Sequence, residues 1–195
     1  MCVSLRAHNP WGSEHLVGAS IVITPEWPQA YHVHAIATCA HDVVVGIGGW
    51  LFDHARQGWK VSVMLSEPVQ SSALNILGIS AREIDYASWP SAENVNVVVA
   101  STELYERDQA LRRHIGKASR DLHTTVWLWD PNGRRVAPHE SKALRYTLGN
   151  AARVFKTQAM VSAELATERV ATHETLYSLK SNRDILGAPT RSAGL

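Results

Sequence analysis

The stretch YHVHAIATCAHDVVVGIGGWLFDHARQGWKVSVMLSE, residues 31–67, constrains the fold more than any other part of the chain. It has an apolar run at each end and a helix-length segment between them. Strands joined in this way lie parallel, because a parallel pair needs a crossover connection. Two registers of the unit place a functional site differently. In the first, Val43, Val44 and Val45 end a strand that feeds a glycine-rich phosphate loop, and Glu67 falls about 20 residues on, where dinucleotide sites keep a ribose-binding acid. That register asks for a third glycine at position 51, which is Leu51, and it leaves a strand of only three residues. In the second, residues 33–38 are the strand, residues 39–42 are the loop, and a helix starts with Asp42 as N-cap and closes at Gly58. The pattern favours the second register. It puts Gly46, Gly48 and Gly49 inside a helix at a cost of roughly 1 kcal/mol each, so close packing against the sheet or against a ligand is the expected compensation.

The same alternation continues along the chain. KVSVML reads as the second strand, SSALNILG as a short helix closed by Gly78, and NVNVVVAS as a further strand. LYERDQALRRHIGKA follows as one amphipathic helix and HTTVWLW as the next strand. After the turn DPNG, residues 141–156 and 160–178 read as two helices. This order predicts an α/β fold: a three-layer, Rossmann-like, mostly parallel sheet with helices on both faces. The 33–38 strand is expected to be central, with ligands bound beyond the carboxyl ends of the strands. A chain of 195 residues suits one core, so a single domain over residues 1–195 is expected, with 1–30 as an N-terminal extension and 186–195 as a flexible tail.

Charge and composition narrow the function classes. The net charge is +1 and only LRRHIGK and GRR are locally basic, so no nucleic-acid footprint is present. No apolar run reaches bilayer length, and MCVSLRAHNPWGSEH lacks the basic start and apolar stretch of a secretory signal. The expectation is a cytoplasmic protein that acts on a small-molecule substrate, with neither membrane nor nucleic acid as a partner; a homo-oligomer is compatible with it. Cys2 and Cys39 do not make a disulfide framework, so Cys39 is either a small buried hydrophobe or a chemical group. His32 and His34 alternate along a strand and read as structural. Trp127 and Trp129 read as core or pocket wall, and Trp50 and Trp59 as packing residues at the two ends of a helix.

These residues also carry a family resemblance. CAHDVVVGIGGWLFDHARQGWKVSVMLSE resembles the first motif of the PIG-L/LmbE-like zinc de-N-acetylases, in which a strand ends in His-Pro-Asp-Asp-Glu and continues into a Gly-rich helix, a Gly turn and a second strand. SALNILGI is similar to that family's Ala-Leu-x-x-Leu-Gly helix. HTTVWLWDPNGRRVAPHESKAL sits where the family has a strand, a loop and His-Pro-Asp-His, and ERVATHETL is similar to its late Ala-Leu-x-x-His helix. The resemblance spans residues 31–176.

Carried over by position, the resemblance implies a metal, zinc or another transition metal, held by Cys39, Asp42 and His139. Thiolate, carboxylate and imidazole are all donors that zinc accepts, and three of them leave one position open for chemistry. The family's general base falls on His41, and imidazole is suited to acid/base work near neutral pH. Val136 replaces a histidine that stabilises the tetrahedral intermediate, and Val43 replaces the acid that ends the first motif. The implied activity is hydrolysis of an N-acyl group on a small amino sugar or secondary metabolite. Two alternatives stand beside it: a relative that uses the metal or another cofactor for different chemistry, and a catalytically silent ligand-binding scaffold. Without the resemblance, Asp42 reads as an N-cap, His139 as a turn histidine and His173 as a histidine on a helix surface.

Overall fold

The computed structural model describes residues 31–69, 72–89, 95–121, 123–131, 142–167 and 170–179. In order these form β1 (His32–Ala37), α1 (Ala40–Arg56), β2 (Lys60–Leu65), α2 (Ser72–Ile76), β3 (Ser80–Glu83) and β4 (Val97–Ser101). After them come α3 (Thr102–Arg107), α4 (Gln109–Ala118), β5 (Thr125–Trp129), β6 (Ala143–Thr147), α5 (Asn150–Ser162) and β7 (His173–Ser178). One seven-stranded sheet runs β3-β2-β1-β4-β5-β7-β6. The first five strands in that order are mutually parallel, and β7 is antiparallel to both β5 and β6.

Alternation along the strands sorts the core into two layers. Val33, Ala35, Ala37, Val63, Val99 and Trp129 pack beneath α1, α2 and α5. Ile36, Met64, Val98, Val126 and Leu128 pack beneath α3 and α4. The expected three-layer α/β architecture is therefore the one observed, with β1 inside the sheet and bonded in parallel on both edges. Helix α1 buries Val43, Val44, Ile47 and Leu51, a stripe at helical spacing. It stops because Gly58, at φ 88°, takes a left-handed conformation that a side chain resists.

Several local expectations are corrected. Helix α1 begins at Ala40 with Cys39 as its N-cap, so Asp42 is a first-turn residue and most of the expected 39–42 loop is helix. The helix expected over residues 104–118 is two, because Asp108 leaves helical geometry and caps α4, accepting from the amides of Ala110 and Leu111 at 2.8 and 3.0 Å. The two late helices are instead β6, α5 and β7, and β3 is an additional strand. In β7 the inward positions are Glu174, Leu176 and Ser178. A carboxylate among them hides the apolar alternation that marks a strand. His173 consequently lies on a strand, half-buried, not on a helix.

Candidate active site

The strand order changes direction between β1 and β4: the connection from β1 runs through α1 to β2 on one side, while β4 pairs on the other. In α/β sheets, ligands bind beyond the carboxyl ends of the strands at such a switch point. The segments that leave β1 and β4 come together there. From β1 come Thr38, Cys39 and the first turn of α1, and from β4 come Ser101 and α3. Ser101 is fully buried and caps α3, accepting from the Leu104 amide at 3.3 Å, which sets the direction in which α3 carries Glu103 and Arg107. Arg107 pairs with Glu103 at 3.5 Å and donates through Nη2 to Thr38 Oγ1 at 3.1 Å, bridging the two sides.

Cys39 and Asp42 meet at the start of α1. The Asp42 carboxylate lies against Cys39, whose thiol and amide both favour its charged form, but burial and the nearby Glu103 charge outweigh them and raise its pKa above the ordinary value. Burial also raises the Cys39 thiol, with the Asp42 charge adding to it, although the amides of Asp42 and His41 pull the other way. Burial opposes the charged form of both groups. Such a pair gains from an added cation, and thiol and carboxylate are donor types that zinc accepts. Among the described residues no three such side chains converge. The described part of the site thus offers two side chains of donor types that zinc accepts.

The middle of α1 is fixed by different means. Glu174 of β7 reaches the helix backbone and accepts from the amides of Gly49 and Trp50 at 3.0 and 2.7 Å. Lys156 of α5 donates to the Glu174 carboxylate at 2.5 Å and to the Val45 carbonyl at 2.6 Å. Both side chains are only 2% exposed. The pair therefore engages polar groups one helical turn apart, Val45 C=O and Gly49 N–H, from outside the helix. A Cβ on Gly49 would stand 2.6 Å from Leu148 Cδ2 and 3.2 Å from Glu174 Oε1, and one on Gly46 would stand 2.5 Å from Trp129 Nε1. Close packing against the sheet layer is what these glycines permit.

Of the residues singled out from the sequence, Cys39 and Asp42 are brought together and His41 lies exposed on the same turn. His139 and Val136 lie outside the described residues, as do the expected extension over 1–30 and the tail over 186–195. Val43 is buried in the core. Trp129 is buried as expected, and its indole Nε1 has no hydrogen-bond partner among the described residues. Glu103, Arg107, Lys156 and Glu174 were not foreseen. The first two carry a faint signal in that they follow a strand adjacent to β1, but the adjacency itself is a property of the sheet.

By sequence, no family model and no curated protein matches this chain. Its fold, however, is shared with solved deacetylases. A deacetylase triple mutant from the teicoplanin biosynthetic pathway superposes with a TM-score of 0.51 at 16% identity, covering 75% of this chain and 97% of that one. A deacetylase–teicoplanin complex from the same pathway gives 0.52 at 14% identity, again over 75% and 97%. The zinc-inhibited form of teicoplanin deacetylase gives 0.51 at 14% identity over the same shares. The chain thus has the fold of the enzymes that its motifs resemble.

Proposed function

We propose that the protein is a metal-dependent hydrolase of the N-deacetylase type, acting on an N-acyl group of a small amino sugar or secondary metabolite. The observation that carries this reading is the meeting of Cys39 and Asp42 on the first turn of α1, at the switch point between β1 and β4, in a fold shared with deacetylases. Cys39 and Asp42 would hold the metal, zinc or another transition metal, with His139 as the third ligand. When bound, such a metal polarises the acyl oxygen and acidifies water. His41, exposed on the same turn, would take the proton of the attacking water and return it to the leaving nitrogen. Arg107, tied to Thr38, joins α3 to the end of β1.

Metal content and hydrolysis of an N-acetyl amino-sugar panel, measured on the purified chain, test this reading. Cys39→Ser and Asp42→Asn should each lower metal content and activity together, because removing a donor weakens coordination directly. His41→Ala should keep the metal and lose turnover. A loss of metal in His41→Ala would make His41 a ligand, and unchanged metal and turnover would make it structural. A chain that takes up neither zinc nor another transition metal from solution would exclude the hydrolase reading and leave a ligand-binding scaffold. Stoichiometric metal without hydrolysis would point to other chemistry at the same site.

A further inference from the structure

A cavity of about 380 Å³ lies on the face of the sheet opposite α1, near the amino ends of the strands, and none of the residues of the candidate active site line it. Its floor is His34 of β1 beside Val98 of β4, which are paired in register. Tyr86, Trp89 and His114 form its walls, and Lys117 stands at its edge. His114 stacks on Tyr86 with ring centroids 5.3 Å apart at 11°, and its centroid lies 4.7 Å from that of Trp89. Two hydrogen bonds hold the lining in place. The Tyr86 hydroxyl donates to Asp108 Oδ2 at 2.5 Å, and His34 Nδ1 lies 2.7 Å from Ser62 Oγ. Burial and the Arg82 charge lower His34 to about 4, so it is neutral near pH 7. The interior is therefore built of flat, largely uncharged π surfaces.

The rim is of opposite character. Helix α4, QALRRHIGKA, contains three cations and no carboxylate, and Arg120 follows it. A second cavity of about 430 Å³ runs along Arg112, Arg113, Lys117 and Arg120, and shares His114 and Lys117 with the first. Arg112 is engaged with the Tyr105 and Glu106 carbonyls. Arg113, Lys117 and Arg120 form no ion pair among the described residues. A cluster of rings that only fastened the segment before β4 onto α4 would require neither the open volume nor the unpaired cations. An aromatic-lined hollow edged by cations that form no ion pair among the described residues matches a ligand that is planar at one end and anionic at the other.

We propose that this cavity is a second ligand site, which takes a small aromatic anion of nucleotide size with its ring against Trp89 and His114 and its phosphate or carboxylate at Lys117 and Arg113. Calorimetric titration of the full chain with adenosine monophosphate, adenosine, inorganic phosphate and 1-naphthoate tests it. At least one of the two aromatic anions should bind saturably. Adenosine should bind about tenfold more weakly than its monophosphate wherever the phosphate contributes, by the usual strength of a hydrogen bond to a charged group. Inorganic phosphate alone should show no saturable binding. Tighter binding of the monophosphate would identify a phosphate-bearing ligand, and tighter binding of 1-naphthoate a carboxylate-bearing one. Trp89→Leu and Lys117→Ala should each weaken the aromatic anion about tenfold, from lost stacking and lost charge respectively, while metal content stays unchanged. If Trp89→Leu fails to fold, exposed Lys117→Ala and Arg113→Ala carry the test. Absence of saturable binding for both aromatic anions would overturn the proposal, as would binding that none of the folded variants weakens.

Discussion

Two carboxylates that meet helix α1, Glu174 of β7 and Asp42 of the helix itself, have contrasting surroundings. Around Gly49 and Trp50, Glu174 is buried against a cation and two amides, so each of its acceptor oxygens is engaged, although burial still raises its pKa. At the first turn, Asp42 is half-buried beside a thiol and near a second carboxylate, Glu103, so its charge is opposed by both burial and its neighbour. A buried charge is tolerated where it is paired and hydrogen-bonded, as in the middle of the helix. The start of the helix departs from that rule, and such departures concentrate at functional sites. The comparison therefore assigns the middle of α1 to stability and is consistent with the proposal that its start carries the chemistry.

The largest effect should come from breaking the middle. Lys156→Met leaves Glu174 buried without its cation and should cost about 3–5 kcal/mol in denaturant unfolding. Replacing both partners, Lys156→Met with Glu174→Leu, should recover part of that loss, since the amides of Gly49 and Trp50 can return to helix partners. A loss below about 1 kcal/mol for the single substitution, the level of an exposed pair, would show that the ion pair does not hold the helix.

Next come the glycines of α1. Gly46→Ala drives a methyl into the buried Trp129 ring, 2.5 Å from Nε1, and should cost about 1–3 kcal/mol despite alanine's better helix propensity. Gly48→Ala meets only the end of the Leu77 side chain at 3.1 Å, so the propensity gain roughly offsets the crowding and the change should stay within about 1 kcal/mol. Equal costs at the two positions would mean that propensity, not packing, governs the segment. Gly58→Ala should cost about 1 kcal/mol, because φ is 88° there while no atom obstructs the methyl.

The smallest effect is at the first turn, and its sign is opposite. The folded-state pKa of Asp42 is raised, so the folded protein holds that proton more tightly than the unfolded chain. Stability from this source is complete below the ordinary carboxyl value of 3.8 and is lost as pH rises through the folded value. Asp42→Asn removes that loss. It should therefore be slightly more stable than the native chain above the folded pKa, since solvent screening of a half-exposed group keeps the effect small. The gain should appear between those two pKa values and stay level towards neutrality in thermal unfolding without metal. A net loss of stability would instead mark Asp42 as a helix-capping residue.

Much of this contrast could be read from the chain before any coordinates. The β1–α1–β2 unit, the place of Cys39 and Asp42 at its turn, and the need for glycine inside α1 follow from apolar period and spacing. What the glycines pack against does not. Gly46 meets Trp129, 83 positions along the chain, and Gly49 meets Glu174, 125 positions along. Sequence period also misassigned β6 and β7. The edge position of β6 and the inward Glu174 of β7 remove the apolar alternation, and the reason a carboxylate can point inward, Lys156, sits on a different element.

The sequence alone determined the parallel α/β order and the end of α1 at Gly58, because each depends on neighbours within a few turns of backbone, while the pairing of Cys39 with Asp42 was implied by the family resemblance. Tertiary structure decided the rest. It set β4 beside β1, so that Arg107 reaches Thr38 and the Glu103 charge acts on Asp42, and it drove Glu174 and Lys156 into the flank of α1. Strand adjacency and the pairing of buried charges are fixed by contacts between distant segments, and the energy of a buried carboxylate is set by the partner that folding brings to it.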